Sequence, residues 1–97
     1  MKKLTIVSVC GFGIGSSIIL KMTIDKMLAD EGIEADVQPQ DITSLGGTAA
    51  DIVFTSVEFA DRVRERMSCP VITVNSFIDL NEVREKGLGL IREFMLM

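Results

Sequence analysis

Histidine, tryptophan and tyrosine are all absent from this 97-residue chain. Without histidine there is no phosphohistidine, no imidazole base and no ordinary zinc site with imidazole ligands. Covalent chemistry has to rest on Cys, Ser, Lys or a carboxylate. Cysteine is scarce: Cys10 and Cys69 lie far apart, and in a chain of this kind they are expected to be reduced rather than bridged. A basic excess is lacking too. The net charge of −4 leaves no basic stripe to neutralise phosphates, which argues against a nucleic-acid partner. No apolar run approaches the roughly 20 residues of a membrane-spanning helix. The apolar run near the N-terminus is short and ends in glycines, so it reads as a strand and not a signal peptide. The expected location is cytoplasmic.

What remains is ordinary for a folded chain. Hydrophobic residues make up 47%, enough for a real core, and the length fits one domain over residues 1–97. Strand and helix signals alternate. Leu4 to Val9 is apolar on both faces, as a central parallel strand requires. Leu20, Ile24, Met27 and Leu28 form one helical stripe, with Ser16 or Ser17 as N-cap and Gly32 as terminator. Ile33 to Gln40 contains Pro39 and reads as an edge strand. Asp41 to Ala50 reads as a connection, and Asp51 to Thr55 as a second central strand. Glu58 to Met67 reads as a helix with Phe59, Ala60, Val63 and Met67 inward. Val71 to Val74 follows Pro70 as a short strand. Leu80, Val83, Gly87, Leu90, Ile91 and Phe94 share one face of a last helix. Gly87 implies either close packing on the sheet or a break into two helices. The alternation predicts an α/β fold: a four-stranded parallel open sheet in the order 2-1-3-4 with helices on both faces.

In such sheets ligands bind outside the carboxyl ends of the strands. Three segments meet there: Cys10 to Ser17 after the first strand, Thr55-Ser56 after the third, and Asn75-Ser76 after the fourth. The first, Cys10-Gly11-Phe12-Gly13-Ile14-Gly15-Ser16-Ser17, carries the chemistry. A thiol at a strand tip, in a glycine-rich turn under a helix N-terminus, is placed to hold negative charge or a phosphoryl group.

Several readings compete for that loop. A dinucleotide fingerprint needs G-x-G-x-x-G, and the glycines here run G-x-G-x-G. A Walker-type loop needs G-K-[ST], and Lys21 comes a full turn too late. A cysteine-dependent phosphatase needs C-x5-R to clamp the phosphoryl group, and Ser16 stands at that position; it also wants an acid, and none is near the loop in sequence. A thiol redox role lacks a C-x-x-C partner. A phosphoryl carrier fits: backbone N–H groups and the Ser16 and Ser17 hydroxyls hold the phosphoryl oxygens without activating water, and the helix N-terminus favours the Cys10 thiolate. A cysteine-dependent phosphatase drawing its acid from a distant segment, and a non-catalytic anion- or nucleotide-binding module, remain the alternatives.

The stretch Leu4-Thr5-Ile6-Val7-Ser8-Val9-Cys10-Gly11-Phe12-Gly13-Ile14-Gly15-Ser16-Ser17, followed by Ile18-Ile19-Leu20-Lys21-Met22, resembles the IIB components of the bacterial phosphoenolpyruvate-dependent sugar phosphotransferase system (PTS). Within the lactose/ascorbate/galactitol group it is most similar to the ascorbate type. Ala50 to Ser56 resembles their third strand. The resemblance implies a Rossmann-like sheet similar to that of low-molecular-weight tyrosine phosphatases. It implies a phosphotransferase with Cys10 as the catalytic nucleophile and Gly11, Phe12, Gly13, Ile14, Gly15, Ser16 and Ser17 as the phosphate-binding loop, with no metal and no cofactor. The implied partners are a IIA phosphodonor protein and a membrane IIC transporter holding the sugar, of ascorbate or pentitol/hexitol type. Phe12 and Ile14 are apolar where ascorbate members often have polar residues.

Blander roles stand beside these. Ser16 and Ser17 would cap a helix in any protein. Phe12 and Ile14 either cover the core edge or form an apolar docking spot. Cys69, between Ser68 and Pro70, is expected to be packing, and Arg62, Arg64 and Arg66 a solvated helix face.

Overall fold

Strands β1 (Leu4–Cys10), β2 (Ala35–Asp41), β3 (Ile52–Ser56) and β4 (Val71–Val74) run parallel in the order β2-β1-β3-β4. The sheet has the predicted order, and β2, which carries Pro39, is at its edge. The structure, a computed structural model, describes residues 4–10, 14–42 and 49–96, with backbone alone at residues 10 and 14–17. The connecting helices are α1 (Ile14–Asp30), α2 (Ala60–Arg66) and α3 (Leu80–Met95).

The helices cover both faces. On one, Ile6, Ile52, Phe54 and Val74 pack with Leu20, Ile24 and Met27 of α1 and with Val83 and Ile91 of α3. On the other, Val7, Val9 and Val53 pack with Val63 of α2. The double-sided apolar character of β1 is thus a direct consequence of its central place between two helical layers.

Local signals account for most boundaries. Gly32, at φ +70°, closes α1 in a Schellman turn. The Ile33 amide donates to the Leu28 carbonyl at 2.9 Å and the Gly32 amide to that of Ala29 at 3.2 Å. Ile33 is used in this turn, so β2 starts at Ala35 and not at Ile33. The Asp51 amide donates to the Thr5 carbonyl at 2.8 Å, and its carboxylate accepts from the Thr5 amide at 2.9 Å. This reciprocal pair aligns β3 with β1 from the amino-terminal edge.

Two helix starts differ from the sequence reading, and at Gly87 the structure follows its first choice, close packing. Helix α1 opens at Ile14, so Ser16 and Ser17 lie inside its first turn and neither is the N-cap. Gly15 costs about 1 kcal/mol against Ala in a helix, too little to stop the turn from extending back through it. The second helix is preceded by a 3-10 turn, Val57–Phe59, and becomes α-helical at Ala60; such tightening is common at helix starts. Helix α3 is unbroken across Gly87 and Gly89. Close packing explains Gly87, because a Cβ there would lie 2.8 Å from Phe54 Cε2 and closer still to Cζ.

Candidate functional site

Because all four strands are parallel, their carboxyl ends share one edge. β1 ends at Cys10, β3 at Ser56 and β4 at Val74, followed by Asn75 and Ser76. The sequence reading put these segments together, and the sheet does bring them to one edge. Between β1 and β3 the connections leave in opposite directions across the sheet, which makes this the topological switch point. Cys10 is the last residue of β1, and α1 begins at Ile14. The opening turn of a helix has backbone N–H groups with no intrahelical partner, and that of α1 carries no acidic side chain to neutralise its positive end. Gly11, Phe12 and Gly13 lie outside the described residues, as do the side chains of Cys10, Ile14, Ser16 and Ser17. The docking role weighed for Phe12 and Ile14 falls there too.

The ladder adds a neighbour that sequence distance hid. Asp41, the last residue of β2, is the register partner of Cys10. It already has an interaction of its own. Only the parallel pairing of β1 with β2 could have located it.

Hydroxyl and carboxylate groups brace this edge. The Thr55 hydroxyl, fully buried, donates to the Val9 carbonyl at 3.1 Å and ties β3 to β1 one residue short of Cys10. The next hydroxyl, Ser56 Oγ, is buried with no hydrogen-bond partner. Further along, Thr23 Oγ1 on α1 donates to the Phe77 carbonyl at 2.6 Å and holds the β4–α3 loop against α1. Glu82 holds that loop from the other side. Its carboxylate accepts from the Asn75 amide at 2.8 Å, the Ser76 amide at 2.9 Å and Asn75 Nδ2 at 3.0 Å. Asp79 caps α3 by accepting from the Glu82 amide at 3.1 Å. Asp79 and Glu82 have capping-box spacing, yet Glu82 reaches past the cap to the loop.

The Asn75 and Ser76 amides, followed by Lys86, hold the Glu82 carboxyl down at about 2 from its ordinary 4.5. A lowered folded pKa stabilises the fold fully above the unfolded value and loses that contribution as pH falls through the folded one. The Glu82 share of stability is therefore complete above about pH 4.5 and fades toward pH 2. Glu82→Gln is expected to cost about 1–2 kcal/mol at pH 7, from weakened charge-assisted hydrogen bonds. It should also flatten the acid limb of the stability curve. Urea unfolding of both proteins at pH 7 and pH 3 checks this, with a smaller gap expected at pH 3.

Several apolar side chains stay exposed around the same edge: Ile18, Ile19 and Met22 on α1, Val57 after β3, and Ile78 before α3. The features expected to be structural are so. Arg62, Arg64 and Arg66 are solvent-exposed; Arg64 pairs with Asp61, and Arg62 lies over the Phe59 ring at 5.8 Å. Cys69 packs beside the Val7–Val53–Val63 cluster. Its thiol is pushed above the ordinary value, chiefly by burial. No helix among the described residues is long and apolar enough to cross a membrane.

An open parallel sheet whose central strand ends at Cys10, four residues before a helix and at the switch point, defines a class: an open α/β domain with a strand–loop–helix connection where such sheets bind ligands. Comparison with known proteins narrows the class. The family described as PTS system, Lactose/Cellobiose specific IIB subunit matches residues 5–86, and the chain belongs to it. The Ascorbate-specific PTS system EIIB component of Mycoplasma pneumoniae is 26% identical over 86 residues, covering 87% of this chain and 90% of that protein. The lactose-specific IIB component domain of the phosphoenolpyruvate:carbohydrate phosphotransferase system from Streptococcus pneumoniae has the same fold. Its TM-score is 0.62 at 14% identity, over 95% of this chain and 97% of that one.

Proposed function

We propose that this chain carries phosphoryl groups on Cys10 between a IIA donor protein and a sugar bound to a membrane IIC transporter. The observation that carries the reading is the placement of Cys10 as the terminal residue of central strand β1, with α1 opening at Ile14. Family membership supports a place in a sugar phosphotransferase system. In the first transfer the Cys10 thiolate attacks the phosphorus of a phosphohistidine on IIA. The S–P bond forms, the N–P bond breaks, and the imidazole leaves and takes up a proton. In the second, a sugar hydroxyl oxygen attacks the same phosphorus, the S–P bond breaks, and the hydroxyl proton passes to solvent. The thiolate is restored.

The loop offers what a carrier needs and lacks the arginine clamp of a cysteine-dependent phosphatase. Backbone amides from Gly11 to Ser17, with the Ser16 and Ser17 hydroxyls, would hold the phosphoryl oxygens under the α1 N-terminus. No arginine occurs in that loop, and the chain has no histidine to activate water. Partners approaching Cys10 would meet the apolar side chains of Ile18, Ile19, Met22 and Ile78, the kind of surface that protein partners cover. The name of the relative from Mycoplasma pneumoniae supports ascorbate or a similar sugar acid as the acceptor, and a carrier of this kind would work on the cytoplasmic side.

The test is intact-mass measurement after incubation with phosphoenolpyruvate, the general phosphotransferase proteins and a cognate IIA. One added phosphoryl group is expected. An unmodified chain under conditions that phosphorylate IIA would overturn the reading.

A further inference from the structure

We propose that Ser56, at the end of β3, binds the phosphoryl group carried by Cys10, its hydroxyl donating to a phosphoryl oxygen. This rests on the carrier reading above and adds a residue from a different strand to the phosphate-binding loop.

Three observations converge on it. The first is register. β1 and β3 pair through Val9 and Thr55, and each strand continues one residue further, to Cys10 and Ser56. One more step along the parallel ladder sets these two residues side by side. The second is the face. Strand alternation puts Ser56 on the side of Ile52 and Phe54, which pack against Leu20 and Ile24 of α1. That is the face covered by the helix whose N-terminus opens beside Cys10. The third is the unmet hydrogen bond. Ser56 Oγ is buried and has no partner, while the neighbouring Thr55 hydroxyl is bonded to Val9. Arg84 Nε is also unpaired as a hydrogen-bond donor, but a Glu31 carboxylate oxygen lies 3.3 Å away, so its charge is answered. Ser56 has no such compensation.

A buried hydroxyl without a partner destabilises the state it occurs in. It is explained if another state supplies the partner. A phosphoryl group on Cys10 brings three strongly accepting oxygens to the switch point. The serine hydroxyl has one proton to give and needs no base to give it. Ser56 would thus favour the phosphorylated state without assisting attack by water.

The hydroxyl therefore has opposite effects in the two states, and this makes the proposal testable. Wild type, Ser56→Ala and Ser56→Thr are each equilibrated with phosphorylated IIA, and the fraction of phosphorylated chain is read by intact mass. Melting of each unphosphorylated protein is measured in parallel. Ser56→Ala is expected to lower the ratio of phosphorylated to free chain about tenfold, as loss of one hydrogen bond to a charged group would. Its unphosphorylated melting temperature should be equal to wild type or higher. Ser56→Thr keeps the hydroxyl and should recover most of the ratio. A wild type that takes up no phosphoryl group sinks the carrier reading and this proposal with it. A wild type that is labelled, with Ser56→Ala labelled equally, overturns this proposal alone. So does an equal loss in Ala and Thr, or a lowered melting temperature in the unphosphorylated Ala variant.

Discussion

Cys10→Ser is expected to fold normally and to take up no measurable phosphoryl group, a loss of more than about a hundredfold, the smallest factor usual for an absent general base. A thiol with an ordinary pKa near ~8.5 is brought toward neutrality by a helix N-terminus. A serine hydroxyl gains little from the same field and needs a base. The chain has no histidine to serve as one. Cys69→Ser is the matched control and should be labelled like wild type. Cys69 lies before β4 at the amino-terminal edge of the sheet, while Cys10 ends β1 at the carboxyl edge. At the strand rise of ~3.3 Å per residue their backbones are on the order of 15 Å apart, beyond disulfide reach. Burial and the nearby Asp51 charge also hold the Cys69 thiol in its neutral form. Intact-mass measurement of both variants settles the comparison; labelling of Cys10→Ser at wild-type level would move the acceptor elsewhere.

The largest expected effect on stability comes from Gly87. On propensity alone, Gly87→Ala should strengthen α3 by about 1 kcal/mol. We expect the reverse, a net loss of about 1–2 kcal/mol, because overpacking a filled core usually costs 1–3 kcal/mol. The added Cβ would overlap the Phe54 ring, which is fully buried in the core between the sheet and α3. Gly87→Leu should cost several kcal/mol more and bring a domain of ordinary 5–15 kcal/mol stability close to unfolding. Phe54→Leu combined with Gly87→Ala should recover part of the loss, so the two changes will be non-additive. Chemical denaturation of the single and double variants measures this coupling. A Gly87→Ala variant more stable than wild type would contradict the packing argument.

Phe54 and Gly87 also mark where sequence reasoning reaches its limit. The 3.6-residue stripe of α3 put Gly87 on the inward face, which pointed to close packing but left a helix break as the alternative. The choice depended on the ring across the interface, and no local pattern records it. The same holds at the site. Cys10 could be proposed because everything that marks it is contiguous: an apolar strand before it, glycines and serines after it. The Schellman ending at Gly32 and the edge placement of the strand with Pro39 were legible for the same reason. Asp41 and Ser56 were not, although Ser56 could be assigned to the correct edge.

Short-range pattern thus carried the element types, the parallel sheet with its 2-1-3-4 order, and the choice of Cys10 as the candidate nucleophile, because periodicity, turn chemistry and crossover handedness all act within a few residues or one connection. Which residues pair with the end of β1 was settled by folding alone. Strand register sets Asp41, 31 positions away in the chain, opposite Cys10 and pairs Val9 with Thr55, the residue before Ser56, and register is a property of several segments packed together.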